Sequence, residues 1–320
     1  MTADRLAEVS DLFVLAAVLL YLFSMVGFAL ELAFGRARSD VAARRAKVPV
    51  TVGGAGGADE ADGADGTAEA AAQEGVEPPS WAPKAGVAAL VLGWLGWAAN
   101  LGAIVTRGLA VDRWPWGNMY EFVVAICFAA VTAFLVTQIR QNVRFLGAFV
   151  MITATLGLGF AVKVLYTAAG PVVPALNSYW VAIHVTAAIL SSGLFILAGV
   201  AGILYLVRGD GLSRLPSRAD LERVAHRAIV LSFPVWTFAV IAGALWADKA
   251  WGRYWGWDPK EVWAFITWVA YAAYLHARVT AGWRGRAATI VQLIAFGCLL
   301  FNLVGVNIFI SGLHSYADVN

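Results

Sequence analysis

Charge is scarce in this sequence: only 14% of its 320 residues are Asp, Glu, Lys or Arg, against 60% hydrophobic, and the mean hydropathy is +0.71. A soluble domain of this length cannot present so apolar a surface to water, so the chain reads as an integral membrane protein. The formal net charge of +2 leaves no basic patch for nucleic acid. Cysteine is nearly absent too. Cys127 and Cys298 each sit inside an apolar run with no CxxC, CxxCH or zinc-type spacing. Both are read as small core residues, and the chain itself offers no thiol chemistry. Histidine is the third scarcity, with four in the chain.

Apolar stretches of about 20 residues, the length that crosses a ~30 Å hydrocarbon core as a helix, fall at 11–34, 85–106, 119–138, 145–165, 180–207, 228–248, 261–281 and 287–310. The expected fold is therefore all-α, a polytopic transmembrane bundle of about eight spans. The first span is followed, not preceded, by its basic residues (Arg36, Arg38, Arg44, Arg45, Lys47), so it is read as an anchor and not as a cleaved signal. Loops after the first, third, fifth and seventh spans carry 16 of the 23 basic residues. Positive loops stay cytoplasmic, which puts both termini and the loops at 107–118, 166–179 and 249–260 on the outer side. Three regions follow: residues 1–47 as first anchor and basic segment, 48–83 as a disordered cytoplasmic linker rich in Ala, Gly, Asp and Glu, and 84–320 as a seven-helix core with the tryptophan loop at 246–263.

Six of the 14 tryptophans fall within 23 residues, from Trp246 to Trp268. An interfacial aromatic belt would spread over many helices and both interfaces. Here the cluster is on one loop, with Gly252 and Gly256 and the polar Arg253, Asp258, Lys260 and Glu261 mixed in. Such a surface suits a large flat aromatic ligand with acidic edges, a description haem meets. Pro259 fits the first turn of the next helix, and Asp258 and Glu261 either cap that helix or meet the ligand. His184, near the outer end of the fifth span, and His314, just past the eighth, bracket this loop. The pair is read as candidate axial ligands to a haem iron. His276 lies some 22 Å deeper at 1.5 Å per residue, where a haem would need its second ligand from another chain. His226, beside Arg223 and Arg227, is read as solvated in a basic cytoplasmic loop. The loop Arg113 to Glu121 is expected on the same outer surface, with no role assigned.

The run WGRYWGWDPKEVWAFITWVAYAAYLHAR (Trp251–Arg278) closely resembles the WWD signature of haem-handling proteins, in the form typical of the CcsA/ResC family of system II cytochrome c biogenesis, labelled CcsB in actinobacteria. The likeness extends to Trp180–His184 before it and to Asn307, Gly312–His314 and Tyr316 after it, covering most of residues 85–320. The resemblance implies that His184 and His314 ligate haem on the outer face, that His276 ligates haem within the membrane, and that Trp251, Trp255, Trp257, Asp258 and Trp263 belong to the haem-binding loop. It also implies a ResB-type membrane partner, apocytochrome c with CxxCH as client, and thioredoxin-like proteins that keep the client's thiols reduced. The expected function is delivery of haem b, both cofactor and substrate, within a holocytochrome c synthase in the bacterial plasma membrane. Alternatives are a haem exporter that loads a chaperone without ligation, a di-haem electron-transfer subunit, and a structural or channel-forming protein.

Overall fold

The computed structural model describes residues 1–35, 79–172, 176, 178–208 and 215–314. Among these are eight long helices: α1 (Ala3–Phe34), α2 (Trp81–Val111), α3 (Met119–Arg140), α4 (Gly147–Val164), α5 (Tyr179–Val207), α6 (Arg218–Trp251), α7 (Pro259–Val279) and α8 (Gly285–Leu300). A 3₁₀ turn (Arg144–Leu146) leads into α4, and α8 runs on through a π turn (Phe301–Gly305) into Val306–Phe309. The fold is all-helical, as expected. Seven of the helices are long and apolar enough to cross a membrane. At 21 residues, or roughly 31 Å, α7 matches them in length, but Trp263, Trp268, Tyr271, Tyr274 and His276 replace aliphatic residues along it.

Side-chain caps set the helix starts: Asn118, Ser178, Ser217 and Asp258 each accept a bond from a backbone N–H of the first turn. Each helix runs opposite to the one before it. Asp11 of α1 accepts from Tyr166 beyond the end of α4, whereas Glu31 at the other end of α1 meets Arg144. Ala3 and His314 consequently lie at the same end of the bundle.

Between apolar helices in an apolar solvent, close contact and shared hydrogen bonds do what water exclusion does elsewhere. Central helix α5 is the most enclosed span. A Cβ on its Gly193 would fall 2.6 Å from the Ala129 backbone in α3, and one on Gly199 the same distance from the Phe296 ring in α8. Polar side chains stitch helix interfaces as well. Ser232 Oγ donates to the Ser191 carbonyl at 2.7 Å, Gln292 Nε2 to Ala198 at 2.6 Å and Ser24 Oγ to Ala89 at 2.7 Å.

Three expectations about boundaries change. Helix α2 begins at Trp81, inside the expected 48–83 linker, because Pro83 is tolerated in a first turn; the rest of that linker and the Arg36–Lys47 basic cluster lie outside the described residues. Helix α6 begins at Arg218, ten residues before the apolar span, because the Ser217 cap initiates a turn that the charged stretch continues. His226 is therefore helical and not in a loop: half-buried, it faces α7, its Nδ1 3.3 Å from the Tyr274 hydroxyl.

Candidate functional site

Where the tryptophan loop closes the bundle, the ends of α5, α6, α7 and α8 and the loop before α3 line a cleft of about 140 Å³. Its walls are mostly apolar, with polar groups confined to His184, His314, Lys260, Glu261, Asn302 and Asn307 among a few others. The two histidines predicted as a pair do meet here. Both lie against one indole: the His184 ring stacks on Trp246 at 6.0 Å and 13°, and His314 meets Trp246 edge-on at 5.7 Å. Trp251 packs on both Trp246 (4.8 Å) and His314 (5.1 Å).

Each imidazole is held by its Nδ1. His184 Nδ1 donates to the Ala239 carbonyl at 2.8 Å, since a carbonyl can only accept. Gly243, one turn further along α6, gives the ring its room: a Cβ there would lie 2.8 Å from His184 Cε1 and Nδ1. His314 Nδ1 donates to Asp258 Oδ2 at 2.9 Å. In both tautomers the lone pair sits on Nε2, the arrangement that metal-ligating histidines adopt when carbonyl or carboxylate acceptors orient them. Burial pushes the His314 imidazole below its ordinary range, against the pull of Asp258, and so keeps it neutral at pH 7.

Asp258 is the helix cap that the sequence offered as one of two alternatives, and it has a second job that the sequence did not propose. It caps α7 through Lys260 N–H, in a capping box completed by Glu261, whose Oε2 accepts from the N–H groups of Asp258 (3.0 Å) and Gly256 (2.8 Å). It also accepts from Leu313 N–H at 2.7 Å and from His314. Burial alone would raise its carboxyl, but the bonds from His314, Leu313 and Lys260 outweigh it and hold the group ionised. At the cleft floor, the π turn of α8 leaves the Asn302 carbonyl to accept from Lys260 Nζ at 2.7 Å.

The remaining predicted residues divide. Trp255 lines the cleft with Trp251. Trp263 packs on Phe301 at 4.3 Å outside it, and Trp257 points away, 68% exposed on a left-handed backbone (φ 59°). His276 is at the opposite end of α7, exposed on the helix surface and bonded through Nδ1 to the Thr280 hydroxyl. Sequence reasoning passed over Asn302, gave Trp246 and Asn307 no separate site role, and assigned none to the 113–121 loop. That loop supplies Trp116 and Asn118 to the cleft wall. A buried ion cluster fixes it: Glu121 bonds Arg107 Nε (3.1 Å), Arg113 Nη1 (2.9 Å) and Gly117 N–H (2.8 Å), while Arg113 also reaches the Gly170 carbonyl. A conserved-looking spacing would not have revealed it; the only available signal was a carboxylate and two arginines too close to apolar spans to be left unpaired.

The fold and cleft define a polytopic helical membrane protein with a tryptophan-walled chamber flanked by two oriented imidazoles. Residues 116–314, which run from the cleft's Trp116 to its His314, match the family described as cytochrome C assembly protein. The cytochrome c biogenesis protein CcsA of Synechococcus elongatus is 32% identical over 73% of this chain and 87% of its own length. CcsA of Chlamydomonas reinhardtii is 36% identical over 68% of this chain and 65% of its own. Among solved structures, the cytochrome c haem lyase CcmF superposes on 95% of this chain with a TM-score of 0.60 at 15% identity, a likeness of fold in which this chain spans about half of that one. The chain belongs to the cytochrome C assembly protein family and, within it, groups with the CcsA proteins.

Proposed function

We propose that the cleft holds haem b as substrate, with His184 and His314 as its axial ligands, and presents it at the outer membrane face to apocytochrome c. The observation that carries this reading is the matched pair of imidazoles, each fixed through Nδ1 and each against Trp246. A mostly apolar cleft between indoles suits a macrocycle, and two neutral nitrogen donors suit its iron. The excess of basic residues in the loops at the other end supports the outward orientation of this one. Within the cleft the chain's part is to hold and orient: no side chain there is required as a nucleophile. Each client cysteine adds its S–H across a haem vinyl double bond, the sulfur bonding one carbon and the proton going to the other, so no net electrons are exchanged.

The partners of this reaction are a ResB-type membrane subunit and thioredoxin-like proteins that keep the CxxCH thiols reduced. His276 supports the first of these. It is exposed on the surface of α7, at the end away from the cleft, where a partner chain can reach it. Electron-transfer and channel readings give no reason for two oriented imidazoles inside a tryptophan chamber at one end only.

The test is the absorption spectrum of the reduced, purified complex for wild type, His184→Gly and His314→Gly, with and without imidazole. Loss of the two-imidazole spectrum in each variant, and its return with imidazole, is the expected result. Wild-type spectra from both variants would return the cleft to a purely structural role.

A further inference from the structure

The two imidazoles are anchored by acceptors of different kind. His184 gives its Nδ1 proton to a neutral carbonyl, Ala239, at 2.8 Å. His314 gives its own to a carboxylate, Asp258, at 2.9 Å. That carboxylate is 7% exposed and gripped by two backbone donors, Leu313 N–H at 2.7 Å and Lys260 N–H at 3.2 Å. An anionic acceptor draws the proton further from the ring than a carbonyl does, which raises the basicity of the other nitrogen. Gly312 permits this grip, because a Cβ there would fall 2.8 Å from Asp258 Oδ1.

Building on the proposed haem ligation, we infer that Asp258 is a positioning residue that makes His314 the strong, retained axial ligand and leaves His184 as the exchangeable one. Asp258 caps the helix that closes the tryptophan loop, so one side chain ties the loop's exit to the retained ligand. Release of haem to a client then begins by breaking the bond from iron to His184 Nε2, while the His314 side stays in register with the loop.

The experiment measures the midpoint potential of haem in the full chain purified with its ResB-type subunit. A more basic ligand favours ferric over ferrous iron. Asp258→Asn keeps a competent helix cap but removes the charge, and is expected to raise the potential by a tenfold change in the ferric-to-ferrous affinity ratio, about 59 mV for one electron. Gly312→Ala, which pushes on Asp258 without replacing it, is expected to shift the potential the same way.

The decisive comparison uses His314→Gly rescued by two exogenous ligands, imidazole and 1-methylimidazole; the latter binds iron but has no N–H to donate. Imidazole is expected to give the lower potential, and the gap to close when Asp258→Asn is added. In His184→Gly the same two ligands are expected to differ by less. Equal potentials with both ligands in His314→Gly, or an Asp258→Asn shift that persists with 1-methylimidazole, would overturn this inference while leaving ligation intact. A wild-type spectrum from unrescued His314→Gly would overturn the ligation reading, and this inference with it.

Discussion

Gly243→Ala isolates the geometry of one imidazole. The added Cβ lies 2.8 Å from His184 Cε1 and Nδ1, where ordinary contact begins at 3.4 Å, so the ring has to retreat by about 0.6 Å. Trp246 stacks on that ring and blocks one direction of escape. Retreat therefore strains the bond to the Ala239 carbonyl, which contributes about 0.5–1.5 kcal/mol. Alanine in place of glycine inside a helix returns close to 1 kcal/mol, so the haem-free protein should unfold within a few degrees of wild type. Haem affinity should not be so protected: a displaced orienting bond costs roughly 10–100-fold. The assay pairs thermal unfolding of the haem-free protein in detergent with haem titration followed by absorbance. Wild-type affinity in Gly243→Ala would refute the claim that His184 is a ligand placed by α6. The same substitution in a His184→Gly background, rescued with imidazole, should have little effect.

Other substitutions probe the site's edges. Trp257→Gly should keep haem occupancy and stay close to wild-type thermal stability, because the indole is 68% exposed with an edge contact to Trp255, and glycine adopts its left-handed backbone without strain; Trp251→Ala should instead weaken haem retention in the same absorbance assay. Glu121→Gln leaves Arg107 and Arg113 buried without their anion, and by the usual cost of about 3–5 kcal/mol should lower the unfolding temperature sharply in a thermal-shift measurement. His276→Ala should leave the cleft haem's spectrum unchanged and lower only the haem-to-protein ratio of the complex with its partner.

The spans were legible because an apolar run of 20 residues has few other uses, and the His184–His314 pair because only four histidines had to be placed against predicted helix ends. What holds the pair was not legible. The Ala239 carbonyl that orients His184 is a backbone atom with no sequence signature, and Gly243 is one of 32 glycines until the ring beside it is seen. Trp257 read as part of the loop's binding face, but its left-handed φ turns it outward, a local choice that composition does not encode. His226 was misplaced for a related reason: a charged stretch looks like a loop, whereas the Ser217 cap makes it a helix that carries His226 to Tyr274. Asp258 is instructive in the other direction. Capping and ligand contact were weighed as rivals, whereas a carboxylate has two oxygens with several lone pairs and here caps α7 while holding Leu313 and His314.

The widened turn at Phe301–Gly305 acts on everything after it. A π turn accommodates an extra residue, and one residue is about 100° of rotation in an α-helix. The polypeptide beyond it is thereby re-phased: Asn307 comes round onto the cleft, and the strand of chain ending in His314 leaves the helix on the side where Asp258 waits. Deleting a single residue here would preserve the composition, hydropathy and length of the last span almost unchanged while turning its tail to the wrong side, so the register of α8 is as much a part of the chamber as any residue on its wall.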